Sequence, residues 1–355
     1  MSTKKDKFSQ KDIKYMDLAL NLARARDGLT GVNPSVGCVI VKNDKIISIG
    51  QTGYDGRPHA ETNAINHCNE SLKNSKIYIT LEPCNHYGKT PPCTNLIIKK
   101  EIKEVFYSID DIDKKVRGKS FKILKSKGIV VKKGLLKNRI SDFYNNYFFN
   151  RKFKIPYVTG KIAVSKNNLI YSENKKKITD IHSDKFTHFL RYKNDSLMIS
   201  STTLNKDNSK LNCRLVGFEK FSPKRIILDN NLKIKINSYI FKTANKNNTI
   251  IFYNKADKNK ILFFKKKGIT LIKSNLVKNN YFDLKSILKK LYTMGSRNLL
   301  VEGGDILSGS FLQDKIFNQF YFFKSKKNIL KSSVYKDFNH YKKLTQNYKN
   351  KAKIN

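Results

Sequence analysis

Four residues carry the types and spacing that chemistry needs: His59, Cys84 and Cys93, with Glu61 two positions beyond the histidine. One imidazole and two thiolates make up the three-ligand set of a catalytic zinc site, which keeps its fourth position open for water. His59 and Cys84 fall at or just before expected helix N-termini, where unpaired backbone N–H groups and the helix dipole favour thiolate and hydroxide. Glu61 is near enough along the chain to reach such a water without ligating the metal. Zinc lowers the pKa of water to about 7. A carboxylate beside it can then move a proton to a ring nitrogen and later to a departing amine. The alternative is a purely structural zinc, which would recruit a fourth Cys or His. His86 is the nearby candidate for that role.

The elements that must position these residues can be read from periodicity. Ile13, Met16, Leu20 and Ala23 recur at helical spacing, so Asp12–Arg26 is expected to be an amphipathic helix. Val36–Val41 and Lys45–Ile49 flank Asn43-Asp44, a hairpin signal. A helix over Ala60–Asn69, a strand over Ile77–Leu81, a helix over Thr94–Lys100 and strands at Val105–Ser108 and Gly128–Val131 follow. Strands alternating with helices imply an α/β layer structure. A helix from about Lys137 closes this unit, and a boundary is expected near residue 147, giving domains 1–146 and 147–355. The second half restarts the alternation. Its strand candidates are Tyr157–Val164, Ser196–Ser200, Arg225–Leu228, Thr249–Tyr253 and Asn298–Val301, with helices at Asp283–Met294 and Ile306–Gln313. Lys324–Asn355 carries ten lysines against one acid, Asp337, and leaves three readings open: a solvated basic tail, an ordered edge or a degenerate remnant.

Composition narrows the class. The chain has 355 residues, about two domains' worth, and its 39% apolar content is too rich for a disordered protein. No run approaches the ~18 apolar residues of a membrane span, and Met1–Lys14 lacks the apolar core of a secretory signal. Five cysteines, an odd count in a chain this large, argue against a disulfide framework and for the cytoplasm. Cys38, Cys68 and Cys213 read as small core residues. Seventy-one Lys and Arg against 28 Asp and Glu give a net charge of +43, which raises the question of nucleic-acid binding. The lysines, however, are spread over both halves.

His-x-Glu followed by Pro-Cys and a second Cys is the signature of the zinc nucleobase deaminases. Here eight residues separate Cys84 from Cys93 where two are usual. That longer loop, Asn85-His86-Tyr87-Gly88-Lys89-Thr90-Pro91-Pro92, resembles the one in the bifunctional riboflavin biosynthesis deaminase/reductases. Asn33-Pro34-Ser35-Val36-Gly37 and Thr80-Leu81-Glu82-Pro83-Cys84 resemble that family too, and the likeness spans residues 10–323. It implies a cytidine-deaminase-like N-terminal domain followed by a dihydrofolate-reductase-like α/β domain. It also implies deamination of 2,5-diamino-6-ribosylamino-4(3H)-pyrimidinone 5′-phosphate, with Zn2+ on His59, Cys84 and Cys93 and Glu61 as proton shuttle. Substrate contacts would come from Asn33, His86, Lys89 and Asp111. Asp110-Asp111-Ile112-Asp113 keeps one acid, Asp111, of the family's Arg-Asp-Pro-Asn, and Thr52 stands where a histidine is common.

The second half resembles the reductase, which uses NADPH to open the ribose to a ribityl chain. Val301-Glu302-Gly303-Gly304 lies between a strand and a helix, where glycines let a phosphate approach the helix N-terminus. Thr203–Asn208 with Leu211 and Arg214 resembles the family's Thr-Val-x-x-Asp-(Asp/Asn)-Pro-x-Leu-Thr-x-Arg run. The resemblance implies cofactor contacts at Val164, Thr203, Asp207 and Gly304, and substrate contacts at Arg191, Leu211, Arg214 and Glu302. Departures are heavier here. Ser165-Lys166-Asn167-Asn168 replaces Ser-Leu-Asp-Gly, Lys177-Ile178-Thr179 replaces Trp-Ile-Thr, Ser209 replaces a proline, and Lys324–Ile329 replaces Ala-Pro-Lys-x-x-Gly. They leave open a weakened reductase, or a non-catalytic second domain on a surviving fold.

A nucleic-acid-editing deaminase is the rival on charge, but the long Cys-to-Cys loop and the cofactor-type second half argue against it. A scaffold with a structural zinc is a further rival, in which Glu61 would have no duty. The family resemblance also implies a homo-oligomer, with no membrane partner.

Overall fold

The structure is a computed structural model that describes residues 8–171, 178, 180–277, 281–329, 335–338, 340 and 352–354. It divides into two compact units, Met1–Lys154 and Ile155–Asn355. Among the described residues, no helix is long and apolar enough to cross a membrane.

The first unit opens with α1 (Gln10–Arg26), started by a reciprocal capping box between Ser9 and Asp12. Met16, Ala19, Leu20 and Ala23 form its buried stripe. Strands β1 (Gly37–Lys42) and β2 (Lys45–Gln51) form an antiparallel hairpin. Its two turn residues, Asn43 and Asp44, both take positive φ, the twist that suits a two-residue hairpin loop. Then follow α2 (Ala60–Asn66), β3 (Lys76–Leu81), α3 (Cys93–Lys99), β4 (Glu104–Ile109), α4 (Lys119–Ser126), β5 (Val130–Lys133), α5 (Lys137–Phe143) and α6 (Asn145–Phe153). The sheet runs β2-β1-β3-β4-β5, and its last three strands are parallel.

Two features fix the layer that bears the site. Gly50 on β2 faces α2 so closely that a Cβ there would lie 2.2 Å from the Ala60 carbonyl oxygen. Only glycine permits this approach, so the first turn of α2 is seated directly on the sheet. At the other end, β3 and β4 are nearly continuous buried runs, as expected of parallel strands covered on both faces.

Helix α6 explains why the division falls after Lys154 rather than at 146/147. Its Tyr147 and Phe148 pack on the first core, and Arg151 Nη2 donates to the Val32 carbonyl at 2.7 Å. The break comes where Lys154 turns left-handed ahead of Pro156.

The second unit contains β6 (Tyr157–Val164), β7 (Leu169–Tyr171), α7 (Ile181–Tyr192), β8 (Ser196–Ser200), α8 (Ser201–Asp207), β9 (Lys224–Leu228) and α9 (Tyr239–Lys242). It continues with β10 (Thr249–Tyr253), α10 (Lys258–Lys266), β11 (Thr270–Lys273), α11 (Leu284–Thr293), β12 (Asn298–Val301), α12 (Asp305–Gln313), β13 (Gln319–Lys324), β14 (Tyr335–Asp337) and β15 (Ala352–Ile354). Eight parallel strands run β11-β10-β9-β8-β12-β6-β13-β15, and β14 pairs antiparallel with β7. Alternate residues of one strand feed opposite faces: Leu299 and Val301 join the core with α11 and α12, and Leu300 joins the core with α7 and α8.

Of the three readings of Lys324–Asn355, the described residues support the ordered edge. Tyr335–Asp337 pairs with β7, Phe338 is buried in the core, and Ala352–Ile354 extends the sheet beside β13. Short, lysine-rich strands at sheet edges do not show the apolar alternation by which strands are recognised, and such charge is a usual guard on edges.

Candidate active sites in the two halves

In the first unit, the N-cap of α2 is His59, Glu61 sits in that helix's first turn, and Cys93 opens α3 behind Pro92. Cys84 follows β3 by three residues, in a loop nine residues ahead of α3 rather than at the helix start expected for it. The His59, Cys84 and Cys93 ligand atoms all lie within 4.8 Å of one another. His59 Nδ1 is 3.6 Å from Cys84 Sγ and 3.4 Å from Cys93 Sγ. A tetrahedral zinc with Zn–S of about 2.3 Å and Zn–N of about 2.0 Å requires S···N separations of about 3.5 Å. The donor set therefore fits the metal in kind and in spacing. Hydrogen bonding from Cys93 pulls the Cys84 thiol down to about 4 against the effect of burial, and the resulting thiolate pushes Cys93 up. Among the described residues, no other group of three or more His, Cys, Asp or Glu side chains gathers closely enough to hold a metal ion. Glu61 is only 4% exposed, and burial raises its carboxyl, with the His59 charge opposing the rise. A carboxyl so placed is ready to carry a proton.

The loop after β3 is braced from a distance. Glu82, buried, accepts the backbone N–H groups of Asp111 at 3.2 Å, Gly118 at 2.9 Å and Ser120 at 3.1 Å. Ser120 Oγ donates to the Pro83 carbonyl at 2.6 Å, and Asn85 Nδ2 donates to the Val116 carbonyl at 3.1 Å. The segment carrying Cys84 is thus clamped to residues 111–120. Sequence reading gave Glu82 no separate role, because its partners lie about thirty positions away.

Of the expected substrate residues, Asp111 is buried and accepts from Tyr147 Oη at 3.1 Å and from the Asp113 N–H at 2.9 Å. Asn33 Nδ2 donates to the Gly56 carbonyl at 3.1 Å, so it braces the turn that leads to His59. Lys89 is exposed, and His86 has a buried Nδ1 without a protein partner. Thr52, at the position where histidine was anticipated, is buried and accepts the Val36 N–H at 2.8 Å.

In the second unit, Arg191 and Glu302 form a two-pronged pair at 2.7 and 2.8 Å. Arg191 Nη1 also donates to the Asn212 carbonyl at 3.1 Å. These contacts use three of the five N–H donors of Arg191, so it holds Glu302 and the loop before Arg214. Nδ1 of His188 accepts the Arg214 N–H at 3.3 Å, and Cys213 Sγ donates to the His188 carbonyl. Burial, then Arg191 and Arg214, hold His188 down to about 4, so it stays a neutral acceptor. Leu211 is buried with φ +54°. Lys161 on β6, overlooked in the sequence, lies in the same field: burial lowers its ammonium and the Glu302 charge opposes that.

The expected cofactor residues divide. Thr203 lies in the first turn of α8, and a Cβ on Gly304 would be 3.6 Å from Thr203 Oγ1, so these two are neighbours. Asp207 closes α8, its carboxyl raised by burial. The Val164 side chain is in the core, leaving its backbone, whose carbonyl accepts from Ser325 N–H at 2.8 Å. Asn168 takes φ +64° in the turn after β6, a conformation asparagine tolerates better than other substitutes for glycine. Lys177 and Thr179 lie outside the described residues.

Comparisons with known proteins match both halves. Residues 9–109 match the cytidine and deoxycytidylate deaminase zinc-binding region, and residues 156–325 the RibD C-terminal domain. The chain is 35% identical to riboflavin biosynthesis protein RibD of Aquifex aeolicus, over 87% of this chain and 85% of that one. It is 49% identical to a diaminohydroxyphosphoribosylamino-pyrimidine deaminase of Buchnera aphidicola, over 40% of this chain and 95% of that one. Acinetobacter baumannii RibD superposes with TM-score 0.81 at 26% identity, covering 93% of this chain and 90% of that chain. A deaminase/reductase from Thermotoga maritima gives 0.77 at 29% identity, with the same coverage.

Proposed function

The chain belongs to the RibD family of bifunctional riboflavin biosynthesis enzymes, and from that premise we propose which residues perform each half-reaction and on what substrate. Its first half is a zinc-dependent deaminase and its second a reductase of the NADPH-dependent kind. The proposed substrate is the 2,5-diamino-6-ribosylaminopyrimidinone 5′-phosphate. The observation that carries the deaminase assignment is the His59–Cys84–Cys93 triangle at tetrahedral spacing beside a buried Glu61.

Zinc, when bound by these three residues, supplies the Lewis acidity that makes water nucleophilic at neutral pH. Glu61 takes one proton from the attacking water and delivers it to the pyrimidine ring nitrogen; it then carries the second proton, from the newly attached hydroxyl, to the amino nitrogen, which leaves as ammonia as the carbonyl forms. Asp111, set by Tyr147 and by the Glu82 clamp, orients the pyrimidine, while Asn33 shapes the entrance. His86 and Lys89 take the phosphate.

In the second half NADPH, when bound, supplies the hydride that opens the ribose. The first turn of α8 with Thr203, Asp207 at its end, the Val164 backbone and Gly304 would hold the cofactor. Arg214 meets the substrate phosphate, Arg191 and Leu211 shape its loop, and Glu302 with Lys161 faces the sugar carbon being reduced. A cytoplasmic setting that keeps Cys84 and Cys93 reduced suits this chemistry, as does assembly into homo-oligomers. The test is one assay with the diaminopyrimidine phosphate, following ammonia and NADPH with and without a zinc chelator. Ammonia release that the chelator stops, followed by NADPH oxidation, supports the reading; no ammonia from this compound overturns it. NADPH oxidation that is absent with ready-made deaminated substrate would leave the second half non-catalytic.

A further inference from the structure

The turn that delivers His59 also carries Arg57, a residue the family resemblance left without a role. Arg57 is half-buried, and its Nη1 donates to Thr90 Oγ1 at 2.5 Å. Its Nη2 is 3.7 Å from the point where Gly88 would carry a Cβ. Thr90 and Gly88 flank Lys89. One side chain therefore reaches from the metal-ligand turn to the loop that presents Lys89 and His86.

The chemistry of this corner is unbalanced in a telling way. An arginine has five N–H donors in a planar fork, and the Thr90 bond uses one of them. His86 Nδ1 is buried and without a protein partner, and buried polar atoms left in that state are uncommon unless something else satisfies them. Arg57 and Lys89 bring two positive charges to the same short loop, and among the described residues neither makes an ion pair with a carboxylate. Two cations and an orphaned ring nitrogen suit a tetrahedral dianion with several acceptor oxygens. Arg57 also differs from Lys89 in mobility. Lys89 is an exposed point charge on a flexible stem, whereas the Arg57 fork is braced by Thr90 and stands two residues from His59.

We propose that Arg57 is a specificity-determining residue of the deaminase half: it binds the 5′-phosphate together with Lys89 and fixes the distance from phosphate to metal centre. The half-site thereby selects the phosphorylated nucleotide over the same compound without its phosphate. This inference rests on the deaminase reading above, and its test separates the two.

The variants are Arg57→Gln and Arg57→Lys in the full-length, zinc-loaded protein. Ammonia release is measured with the phosphorylated substrate and its dephosphorylated counterpart, and ribose 5-phosphate binding is measured by calorimetry alongside zinc content. Losing a hydrogen-bonded charge pair of this kind corresponds to about 10- to 100-fold. Arg57→Gln should raise KM for the phosphorylated substrate by that factor with kcat changed little. The preference for the phosphorylated compound should shrink by the same factor, ribose 5-phosphate should bind correspondingly more weakly, and zinc should stay at one per chain. Arg57→Lys should recover part of the loss. Equal losses on both substrates, or a loss of zinc, would show that Arg57 merely ties the loop, and unchanged ribose 5-phosphate binding would equally overturn the proposal. Wild-type protein that releases no ammonia from either compound would refute the deaminase reading, while the ribose 5-phosphate measurement would still judge Arg57.

Discussion

Removing the Glu82 carboxylate should cost this protein more than removing most surface acids, and the reason is countable. Three backbone N–H groups, from Asp111, Gly118 and Ser120, donate to it, and the bonds from Asp111 and Ser120 are buried. Glu82→Ala leaves these donors facing a cavity. An unsatisfied buried donor costs about 1–3 kcal/mol. With two donors fully buried the variant should lose about 2–6 kcal/mol, against a typical domain stability of about 5–15 kcal/mol. Burial also raises the Glu82 carboxyl, with the N–H groups opposing the rise, so part of the gross hydrogen-bond gain is already consumed and the lower half of the range is expected. Glu82→Gln keeps one acceptor oxygen but turns an NH2 toward a donor, and should recover about half of the loss. Urea unfolding of both variants, with KM for ammonia release on the folded fraction, gives the measurement. The loop that holds Asp111 should slacken, so KM should rise more than kcat falls. Stability of Glu82→Ala within about 1 kcal/mol of wild type would refute the clamp.

Three further outcomes are expected. Glu302→Gln strands the buried Arg191 charge and should cost about 3–5 kcal/mol at neutral pH. Burial alone would raise Glu302, but Arg191 outweighs it and holds the carboxyl below 4.5; the unfolded chain therefore binds the extra proton first, so this stability is present above pH 4.5 and fades below it, and urea titrations of wild type and variant should converge there. Gly50→Ala places a Cβ 2.2 Å from the Ala60 carbonyl oxygen, so α2 must shift; zinc retention against a chelator should fall at least about tenfold, because ligand geometry is held tightly in such sites, and unchanged retention would show that the helix has room to move. Truncation before β14 removes Phe338 from the core and should lower the melting temperature by several degrees, consistent with a loss of about 2 kcal/mol; an unchanged melting temperature would return the segment to the status of a tail.

What could be read in the sequence was whatever depends on residue type and short-range spacing. His59, Glu61, Cys84 and Cys93 meet because each sits at a helix start or just past a strand, and those starts are marked locally. The strand Thr249–Tyr253 was recoverable to the residue because a parallel, doubly covered strand is a nearly continuous apolar run. Glu82 and Lys161 could not be assigned, since their partners are far along the chain and come together only through sheet order. Helix α6 hid the unit boundary because its aromatic and basic composition resembles a linker while Tyr147 and Phe148 in fact pack inward. The charge of +43 drew attention toward nucleic acid, yet the cations assigned to phosphate here are Arg57, Lys89 and Arg214.

The central claim is that Glu61 moves the proton in a zinc-dependent deamination, and Glu61→Gln tests it most directly. The variant keeps size and shape, and Glu61 is not among the three ligands. It should hold one zinc per chain and retain NADPH oxidation with deaminated substrate, while ammonia release falls by about 10²- to 10⁴-fold. Ammonia release at the wild-type rate with zinc in place would contradict the account.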